Sequence, residues 1–419
     1  MAASLGSVYA YAGETNELTQ RLAQVPSGGT LVVPAGVWHG LLVIDKPVTL
    51  SCDEGAEFHG GDQGSLIRIT ASDVTVQNCR LTHWGADLTL LDSGIFVERQ
   101  AANVLIQNNS FYGDGFGIWL DQCHDAKVFE NRIEGNLDVR SQDRGNGIHL
   151  FNTRRADIAG NEVWHTRDGI YIDTSQHNIL RNNRLHDLRY GVHYMYSYHN
   201  TVEGNHTYNT RTGYALMQSK YLTVRNNRSE KDENYGILMN FITNSELSGN
   251  VVTQVAQGSS PTGTELIKGA EGKAMFMYNS LYNRVFNNIL ADSGIGIHIT
   301  AGSEDNEFFG NSFLSNEQQV KYVANRPQEW SKDGSGNYWS DYLGWDRNAD
   351  DIGDVPHEAN DTMDKLLWKY PTARVLVNSP AVEALRWAQN VFPVLKSPGV
   401  TDSHPLMRQP AISEQGGIK

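Results

Sequence analysis

The sequence contains nine copies of a unit about 22 residues long, and this periodicity limits the folds that the chain can adopt. Each copy opens with Gly, or once with Ala, and closes with Asn 14 residues later in seven copies and 15 later in two. A unit of this length without helical periodicity buries its apolar side only by stacking on its copies. The repeat therefore predicts an all-β, right-handed parallel β-helix solenoid. The openers stand at positions 94, 117, 147, 169, 191, 213, 236, 274 and 296, and the Asn residues at 109, 131, 161, 183, 205, 227, 250, 288 and 311.

The residues after each opener alternate, which predicts the direction of their side chains. From the copy opened by Gly147 onward, the first and third residues after the opener are apolar, as with Val192 and Tyr194, so a period of two directs them to the core. The second and fourth residues then face outward. Successive coils lie about 4.8 Å apart, so equivalent positions touch. The second position reads Trp119, His149, Tyr171, His193, Ala215, Leu238, Phe276 and His298, and the fourth reads Asp121, Phe151, Asp173, Met195, Met217, Asn240, Tyr278 and Thr300.

These outward columns are rich in aromatic, His and Met side chains, and their composition leaves three interpretations open. In the first, the columns are stacked surface side chains that insertions between the repeats cover. In the second, Trp119, Tyr171 and Phe276 form a partner-binding surface, because exposed aromatic patches mark interfaces.

The third interpretation is a soft-metal site. Met195 and Met217 occupy adjacent positions in one column, and His193 lies diagonal to them. Thioether and imidazole ligands suit copper, and thioethers suit Cu(I) in particular. His149, in the same column as His193, is a further candidate ligand.

Two polar stretches lengthen the spacing between copies. The segment NLDVRSQDR at 136–144 raises it to 30 residues, and QGSSPTGTELIKGAEG at 257–272 raises it to 38. Insertions into a regular array map to loops, often on a functional face.

The sequence outside the repeat predicts a cap at each end. Leu18, Leu22 and Val25 form one helical stripe after a Thr15 N-cap, and a helix there hides the first open strand edge. The first strands are expected at Leu31–Val33, Val37–Leu42 and Val48–Leu50.

Near the C-terminus, Ser379 and Pro380 open a second amphipathic helix over 380–392. This helix either docks a membrane subunit or packs on the solenoid. The expected divisions are an N-terminal segment with its capping helix (1–30), the β-helix (31–322), a C-terminal cap (323–378), and the second helix with an extended tail (379–419).

Composition excludes some classes of function. The net charge of −14 argues against a protein that binds nucleic acid, which needs a basic face. No run of 18 apolar residues is present, so no transmembrane helix is expected. The first residues, MAASLGSVYAYAGE, are not an intact signal peptide, because they lack a basic segment and a long apolar core.

The three cysteines show no Cys-x-x-Cys spacing. A disulfide between Cys52 and Cys79 is conceivable, because both residues end neighbouring β-rich runs. Buried free thiols are the simpler interpretation. An odd count leaves at least one thiol unpaired or intermolecular.

An acidic segment near the C-terminus resembles a calcium loop. Asp346, Asn348, Asp350 and Asp354 supply oxygen ligands at positions 1, 3, 5 and 9. Asp351 replaces the usual Gly at position six, so a structural Ca²⁺ site and a plain acidic turn are both open.

A carbohydrate-active enzyme or glycan-binding protein is the alternative to a metal-binding protein, because polysaccharide lyases and glycosidases share this fold class. A hydrolase needs two convergent carboxylates. Asp121 and Asp173 occupy one column, but Phe151 separates them. No such pair, and no acidic cluster beside a basic group, stands out on the main face.

Several segments resemble the NosD family. They are RGNGIHLFNT, DGIYI, RYGVHYMYS, GYALMQS, GILMN, EGKAMFMYN and the C-terminal GNYWSDY with DDIGD, and the resemblance extends over nearly the whole chain. It implies an exported, periplasmic accessory protein that is not itself an enzyme. It also implies work with an ABC transporter, whose ATPase and membrane subunits are called NosF and NosY.

The role that the resemblance implies is assembly of the copper–sulfide cluster of nitrous oxide reductase, through receiving or presenting copper. The reductase and a copper chaperone are then further partners. A copper-handling protein in an oxidising compartment favours Met and His over exposed Cys, because free thiols oxidise there.

Overall fold

The repeat winds the chain into a right-handed parallel β-helix, in which almost every complete coil contributes one strand to each of three sheets. The strands are numbered β1 to β40 in chain order. The structure is a computed structural model, and it describes residues 17–256, 272–324, 326–360, 368, 370, 379–382, 384, 387 and 399–410.

Twelve strands form the first sheet within the described residues, and each pairs in parallel with the strand one coil away. They are β1 (Thr30–Val33), β4 (Thr49–Cys52), β7 (Thr75–Gln77), β10 (Leu105–Gln107), β13 (Lys127–Phe129), β16 (Asp157–Ala159), β19 (Ile179–Arg181), β22 (Thr201–Glu203), β25 (Thr223–Arg225), β28 (Glu246–Ser248), β31 (Arg284–Phe286) and β34 (Glu307–Phe309).

The second sheet has thirteen strands in the described part of the chain. They are β2 (Gly36–His39), β5 (Ala56–His59), β8 (Arg80–Thr82), β11 (Ser110–Gly113), β14 (Arg132–Gly135), β17 (Glu162–Trp164), β20 (Arg184–His186), β23 (His206–Tyr208), β26 (Arg228–Glu230), β29 (Val251–Thr253), β32 (Ile289–Ala291), β35 (Ser312–Leu314) and β38 (Tyr338–Trp339).

The third sheet carries the apolar runs that follow the repeat openers, and twelve of its strands lie in the described ranges. They are β3 (Leu42–Ile44), β6 (Ile67–Ile69), β9 (Ser93–Val97), β12 (Phe116–Asp121), β15 (Ile148–Phe151), β18 (Asp168–Asp173), β21 (Tyr190–Met195), β24 (Thr212–Met217), β27 (Tyr235–Asn240), β30 (Lys273–Tyr278), β33 (Ile295–Thr300) and β36 (Gln318–Val323).

The core runs along the axis of the solenoid, and the predicted alternation is confirmed. The first and third residues after each opener are fully buried from the coil of Gly147 to that of Gly296, including Val192 and Tyr194 at 0% exposure. The opener itself must be small where two sheets meet. A Cβ on Gly191 would lie 2.5 Å from Cγ2 of Thr207 and 2.7 Å from the carbonyl oxygen of Gly213.

The repeated Asn side chains form a buried ladder between the first and second sheets. The amide nitrogen of Asn205 donates to Oδ1 of Asn227 at 3.0 Å and to the carbonyl of Leu180 at 2.9 Å. At the corner next to this ladder, one residue of the chain has a positive φ. The residue before the ladder Asn has it, as with Gly204 at +64°, because the Asn side chain must point inward to its neighbour.

The N-terminal cap contains the expected helix, α1 (Glu17–Gln24), with Leu18 and Leu22 buried against the first coils. The strand expected over Val37–Leu42 is two strands, β2 and β3, because the chain turns at Gly40, whose φ is +97°.

The C-terminal cap closes the other end of the solenoid. A three-stranded sheet forms from β37 (Gln328–Glu329), β39 (His357–Glu358) and β40 (Val400–Asp402). Buried Asp402 accepts a hydrogen bond of 2.8 Å from Nε1 of Trp339. Residues 399–410, expected in an extended tail, thus pack into the cap.

Two predictions from the sequence concern segments that lie largely outside the described residues. They concern the second insertion, of which 257–271 are not described, and the helix over 380–392. At the start of that helix, the amide nitrogen of Val382 lies 3.4 Å from Oγ of Ser379, as an N-cap requires.

A disulfide joins Cys52 and Cys79 in neighbouring coils. Cys123 is a buried free thiol whose pKa burial raises to about 12. The disulfide interpretation therefore holds for Cys52 and Cys79, and the buried-thiol interpretation holds for Cys123.

Candidate metal-binding site

The candidate site lies on the outward face of the third sheet, called here the outer face, which carries the second and fourth residues after each opener. The second-position side chains stack as expected for a ladder. Ring centroids are 3.9 Å apart between Trp119 and His149, 4.6 Å between His149 and Tyr171, and 4.3 Å between Tyr171 and His193.

The part of the outer face around Trp119 is covered by other residues, which corrects the expectation that Trp119 is exposed. Trp119 is only 6% exposed, because it packs in a second apolar cluster with Phe96 and Phe116, and Leu88 and Leu91 cover that cluster. Both Leu residues belong to the connection between β8 and β9, a third insertion that sequence reasoning missed because the repeat is irregular before Gly94. The role of Trp119 in binding a partner therefore lacks the exposed ring on which it depended.

Tyr171 and Phe276, the other two candidates for partner binding, are half-buried. Tyr171 lies between two imidazole rings of the ladder, and burial raises its pKa to about 12. Phe276 stacks on Tyr235 at 5.3 Å and lies 4.9 Å from the ring of His298.

His193 is held by a buried carboxylate. Its Nδ1 lies 2.9 Å from Oδ2 of Asp168, and because a carboxylate only accepts, Nδ1 carries the proton. Arg189 forms two hydrogen bonds of 2.8 and 2.6 Å to the same carboxylate, which is 1% exposed. Burial alone would raise the pKa of Asp168, but the hydrogen bonds from His193 and Arg189 outweigh it and hold that pKa below its usual value.

This arrangement leaves Nε2 of His193 with a lone pair and, within the described residues, no hydrogen-bond donor. A ligating His typically donates its other ring N–H to a carboxylate, which fixes the tautomer and raises the basicity of the ligating nitrogen. The side chain of His193 is 12% exposed, so it lies at the surface but is largely enclosed.

Met195 and Met217 end the neighbouring strands β21 and β24. The register pairs Tyr194 with Leu216, so its continuation places the two Met residues opposite each other. Both are half-buried, and Met195 lies two residues beyond His193 on the same strand face. One imidazole nitrogen and two thioethers are a donor set that fits a soft cation such as Cu(I).

His149 does not join this set, because Tyr171 lies between it and His193 in the stack. Its Nδ1 bonds the Asn146 amide at 3.1 Å, and its buried Nε2 has no partner in the ranges described. Burial lowers the pKa of His149 to about 3, so the ring is neutral. The charge of Asp168 opposes this shift, and that of His193 adds to it. Sequence reasoning missed Asp168; the only signal was a carboxylate directly before the opener Gly169.

In the acidic C-terminal segment, carboxylates accept hydrogen bonds from backbone amides of the same segment. Asp346 accepts from the amides of Ala349 at 2.7 Å and Asp351 at 2.9 Å, and Asp354 accepts from that of Arg347 at 2.7 Å. Asp350 accepts from the side chain of Asn348 at 2.9 Å. The calcium assignment stays a prediction. Across the described ranges, no group of three or more His, Cys, Asp and Glu is arranged to hold a metal ion.

Among the residues that the structure describes, no helix is both long enough and apolar enough to cross a membrane. Solved structures resemble the solenoid at low identity. A mutant of the periplasmic alginate epimerase AlgG aligns with a TM-score of 0.53 and 13% identity over 71% of this chain and 84% of that chain. An exopolygalacturonase of family 28 from Yersinia enterocolitica gives 0.53 and 12% over 73% of each chain. This likeness concerns the fold alone.

Relatives in sequence extend over most of the chain. A protein from Pseudomonas aeruginosa named "Probable ABC transporter binding protein NosD" is 59% identical over 383 residues, which cover 91% of this chain and 89% of the relative. A protein of the same name from Stutzerimonas stutzeri is 55% identical over 378 residues, 90% of this chain and 86% of its own length.

Two family descriptions match as well. "Right handed beta helix region" matches residues 37–164, and "Periplasmic copper-binding protein (NosD)" matches residues 129–344, which include the outer face from His149 to Met217. The chain therefore belongs to the NosD family of periplasmic copper-binding proteins.

Proposed function

We propose that this chain is a periplasmic accessory subunit of an ABC transporter that receives or presents copper on its outer face. Copper is the cargo, and His193, Met195 and Met217 are its ligands. The observation that carries the proposal is the hydrogen bond from Nδ1 of His193 to Asp168, because it orients the ring and leaves Nε2 available.

The donor set suits transfer rather than storage. Two thioethers and one imidazole favour Cu(I). Three ligands at the surface leave an open coordination position, and an open position lets a client displace the ion, whereas a closed four-ligand cage holds it.

The cysteines support a periplasmic location. A disulfide such as that between Cys52 and Cys79 forms and persists in oxidising compartments. Cys123 is buried and its raised pKa keeps it a thiol, so it does not compete for copper as a thiolate.

The names of the relatives support association with an ABC transporter. The partners proposed are its membrane and ATPase subunits, NosY and NosF, together with a copper chaperone and nitrous oxide reductase. In this proposal the copper serves assembly of the copper–sulfide cluster of the reductase.

A Cu(I) competition titration against a chromogenic chelator tests the site. The double variant Met195→Leu/Met217→Leu keeps the side-chain volume and removes both sulfur atoms, so its Kd for Cu(I) should rise about tenfold or more. Met407→Leu, in the C-terminal cap, is the matched control and should keep the wild-type Kd. If the double variant and the wild type bind Cu(I) with equal affinity, Met195 and Met217 are not copper ligands.

A cellular measurement tests the role. Cells that carry the double variant should make nitrous oxide reductase with less copper–sulfide cluster than cells that carry Met407→Leu. If the cluster content is unchanged although Cu(I) binding in vitro is weakened, cluster assembly does not depend on this metal site.

A further inference from the structure

A cationic cleft lies where the third sheet turns into the first, on the coils that contain β9, β12 and β15. Its volume is about 200 Å³. Every residue that lines it has a polar or charged side chain: two guanidinium groups, one imidazole and three side-chain amides, from Arg99, Arg154, His124, Gln100, Gln122 and Asn152. Such a concentration of positive charge is notable in a chain of net charge −14, because it opposes the overall field.

Arg99 is fixed in the cleft without being neutralised. When the amide of Gln122 is oriented by its hydrogen bonds, its oxygen accepts from Nε of Arg99 at 3.1 Å and from Nη2 at 2.8 Å. The nearby carboxylate of Glu98 is taken by Arg68 at 2.5 Å. Arg99 forms no ion pair within the described residues, so its charge is uncompensated and its Nη1 remains to donate.

Arg154 carries the second uncompensated charge. It is exposed, and no ion pair or side-chain hydrogen bond is present for it in the part of the chain described. Its neighbour Arg155 differs, because it holds Asp125 through two hydrogen bonds of 2.7 and 2.8 Å. The backbone of Arg154 pairs with that of His124 one coil below, which places the two residues at equivalent positions of adjacent coils.

The carboxylate of Asp121, the last residue of β12, directly precedes the cleft residue Gln122 in the chain. It lies near Arg99 without forming an ion pair with it. Burial raises the pKa of Asp121, and Arg99 opposes that rise. Because Asp121 forms no ion pair with Arg99 in the described part of the chain, the guanidinium keeps a donor for an anion.

We infer that this cleft is a binding site for an oxyanion, either a small free anion such as sulfate or phosphate or a carboxylate presented by a peptide. Guanidinium groups match the planar or tetrahedral oxygens of such ligands and bind them through paired, charge-assisted hydrogen bonds. The amides of Gln100 and Asn152 supply neutral donors at the rim. This site is separate from the outer face and involves none of the proposed copper ligands.

Isothermal titration calorimetry of the copper-free, full-length protein tests the inference. Sodium sulfate, sodium phosphate and a short peptide with a free C-terminal carboxylate are titrated at constant ionic strength, with sodium chloride and the amidated peptide as blanks. Saturable binding of the inorganic anions points to a free oxyanion, and binding of the carboxylate peptide alone points to a presented carboxylate. The absence of saturable binding by all three would overturn the inference.

Variants localise the binding. Arg154→Gln and Arg99→Gln should each weaken the affinity about tenfold, because each removes one charge-assisted partner. Arg155→Gln is the matched control: it is adjacent, exposed and already paired, so its affinity should remain that of the wild type. Equal losses for Arg154→Gln and Arg155→Gln would mean a diffuse charge effect and would also overturn the site. Since no copper is present, failure here and failure of the copper proposal are distinguishable.

Discussion

His193 and Asp168 are 25 residues apart in the chain, yet they meet across one coil boundary at 2.9 Å. Asp168 precedes the opener of one coil, and His193 lies on the outer face of the next. The stacking of coils therefore brings two residues that are distant in sequence into a carboxylate–imidazole pair. This pair determines which imidazole nitrogen is available to a ligand.

Replacing Asp168 with Asn should weaken Cu(I) binding about tenfold to a hundredfold, because the amide still orients His193 but no longer supplies negative charge. The change also leaves half-buried Arg189 without its carboxylate, which costs about 2–3 kcal/mol in the free energy of unfolding. A chelator competition titration and urea denaturation measure the two effects.

The matched control for that variant is Asp157→Asn. Asp157 forms two hydrogen bonds of 3.0 Å with Arg181 on the first sheet, away from the outer face. Its Cu(I) affinity should be unchanged. If Asp168→Asn binds Cu(I) as the wild type does, His193 is not a ligand through Nε2.

The architecture could be predicted from the sequence because it depends on local alternation. The burial of Val192 and Tyr194 follows from a period of two, and the stacking of Asn205 on Asn227 follows from the 22-residue spacing. Each of these contacts repeats along the chain, so one copy predicts the next.

The candidate site was only partly predictable because its remaining contacts do not repeat. The Asp168 pair is a single diagonal contact, and the cover over Trp119 comes from an insertion outside the regular repeat. The disulfide depended on the register between two irregular early coils, where Cys52 and Cys79 could be placed near each other but not shown to bond.

Replacing Asn205 with Ala should destabilise the protein by roughly 2–4 kcal/mol. The side chain donates to Leu180 and Asn227 and accepts from Asn183, so its removal leaves buried groups unsatisfied. Urea denaturation measures the loss. Asn234→Ala, which removes no such ladder contact, should stay within about 0.5 kcal/mol of the wild type. A loss no larger than that of the control would contradict a stabilising ladder.

Removing the disulfide with Cys52→Ser/Cys79→Ser should cost about 3.5 kcal/mol. The bridge closes a loop with a sequence separation of 27, and a cross-link of that length restricts the unfolded chain by this amount. Thermal unfolding with and without a reductant measures the effect. The wild type should lose stability on reduction and the double variant should not. If both respond equally, the reductant acts elsewhere.

Asp232 makes stability depend on pH. It is fully buried inside the corner between the second and third sheets, where it accepts from the amide nitrogen and the hydroxyl of Thr210 at 3.0 and 2.7 Å and contacts the hydroxyl of Ser229. Burial raises its pKa from 3.8 to about 7. The folded state therefore binds a proton that the unfolded state has already released between these two values.

The contribution of Asp232 to stability is thus complete below pH 3.8 and is lost as the pH rises to about 7, at about 1.4 kcal/mol per pH unit. Asp232→Asn mimics the protonated form and does not titrate. The free energy of unfolding of the wild type minus that of the variant should fall by about 3 kcal/mol between pH 5 and pH 8, as urea denaturation at both values measures. A constant difference would mean that Asp232 is ionised in the folded protein, with Thr210 and Ser229 holding the charge.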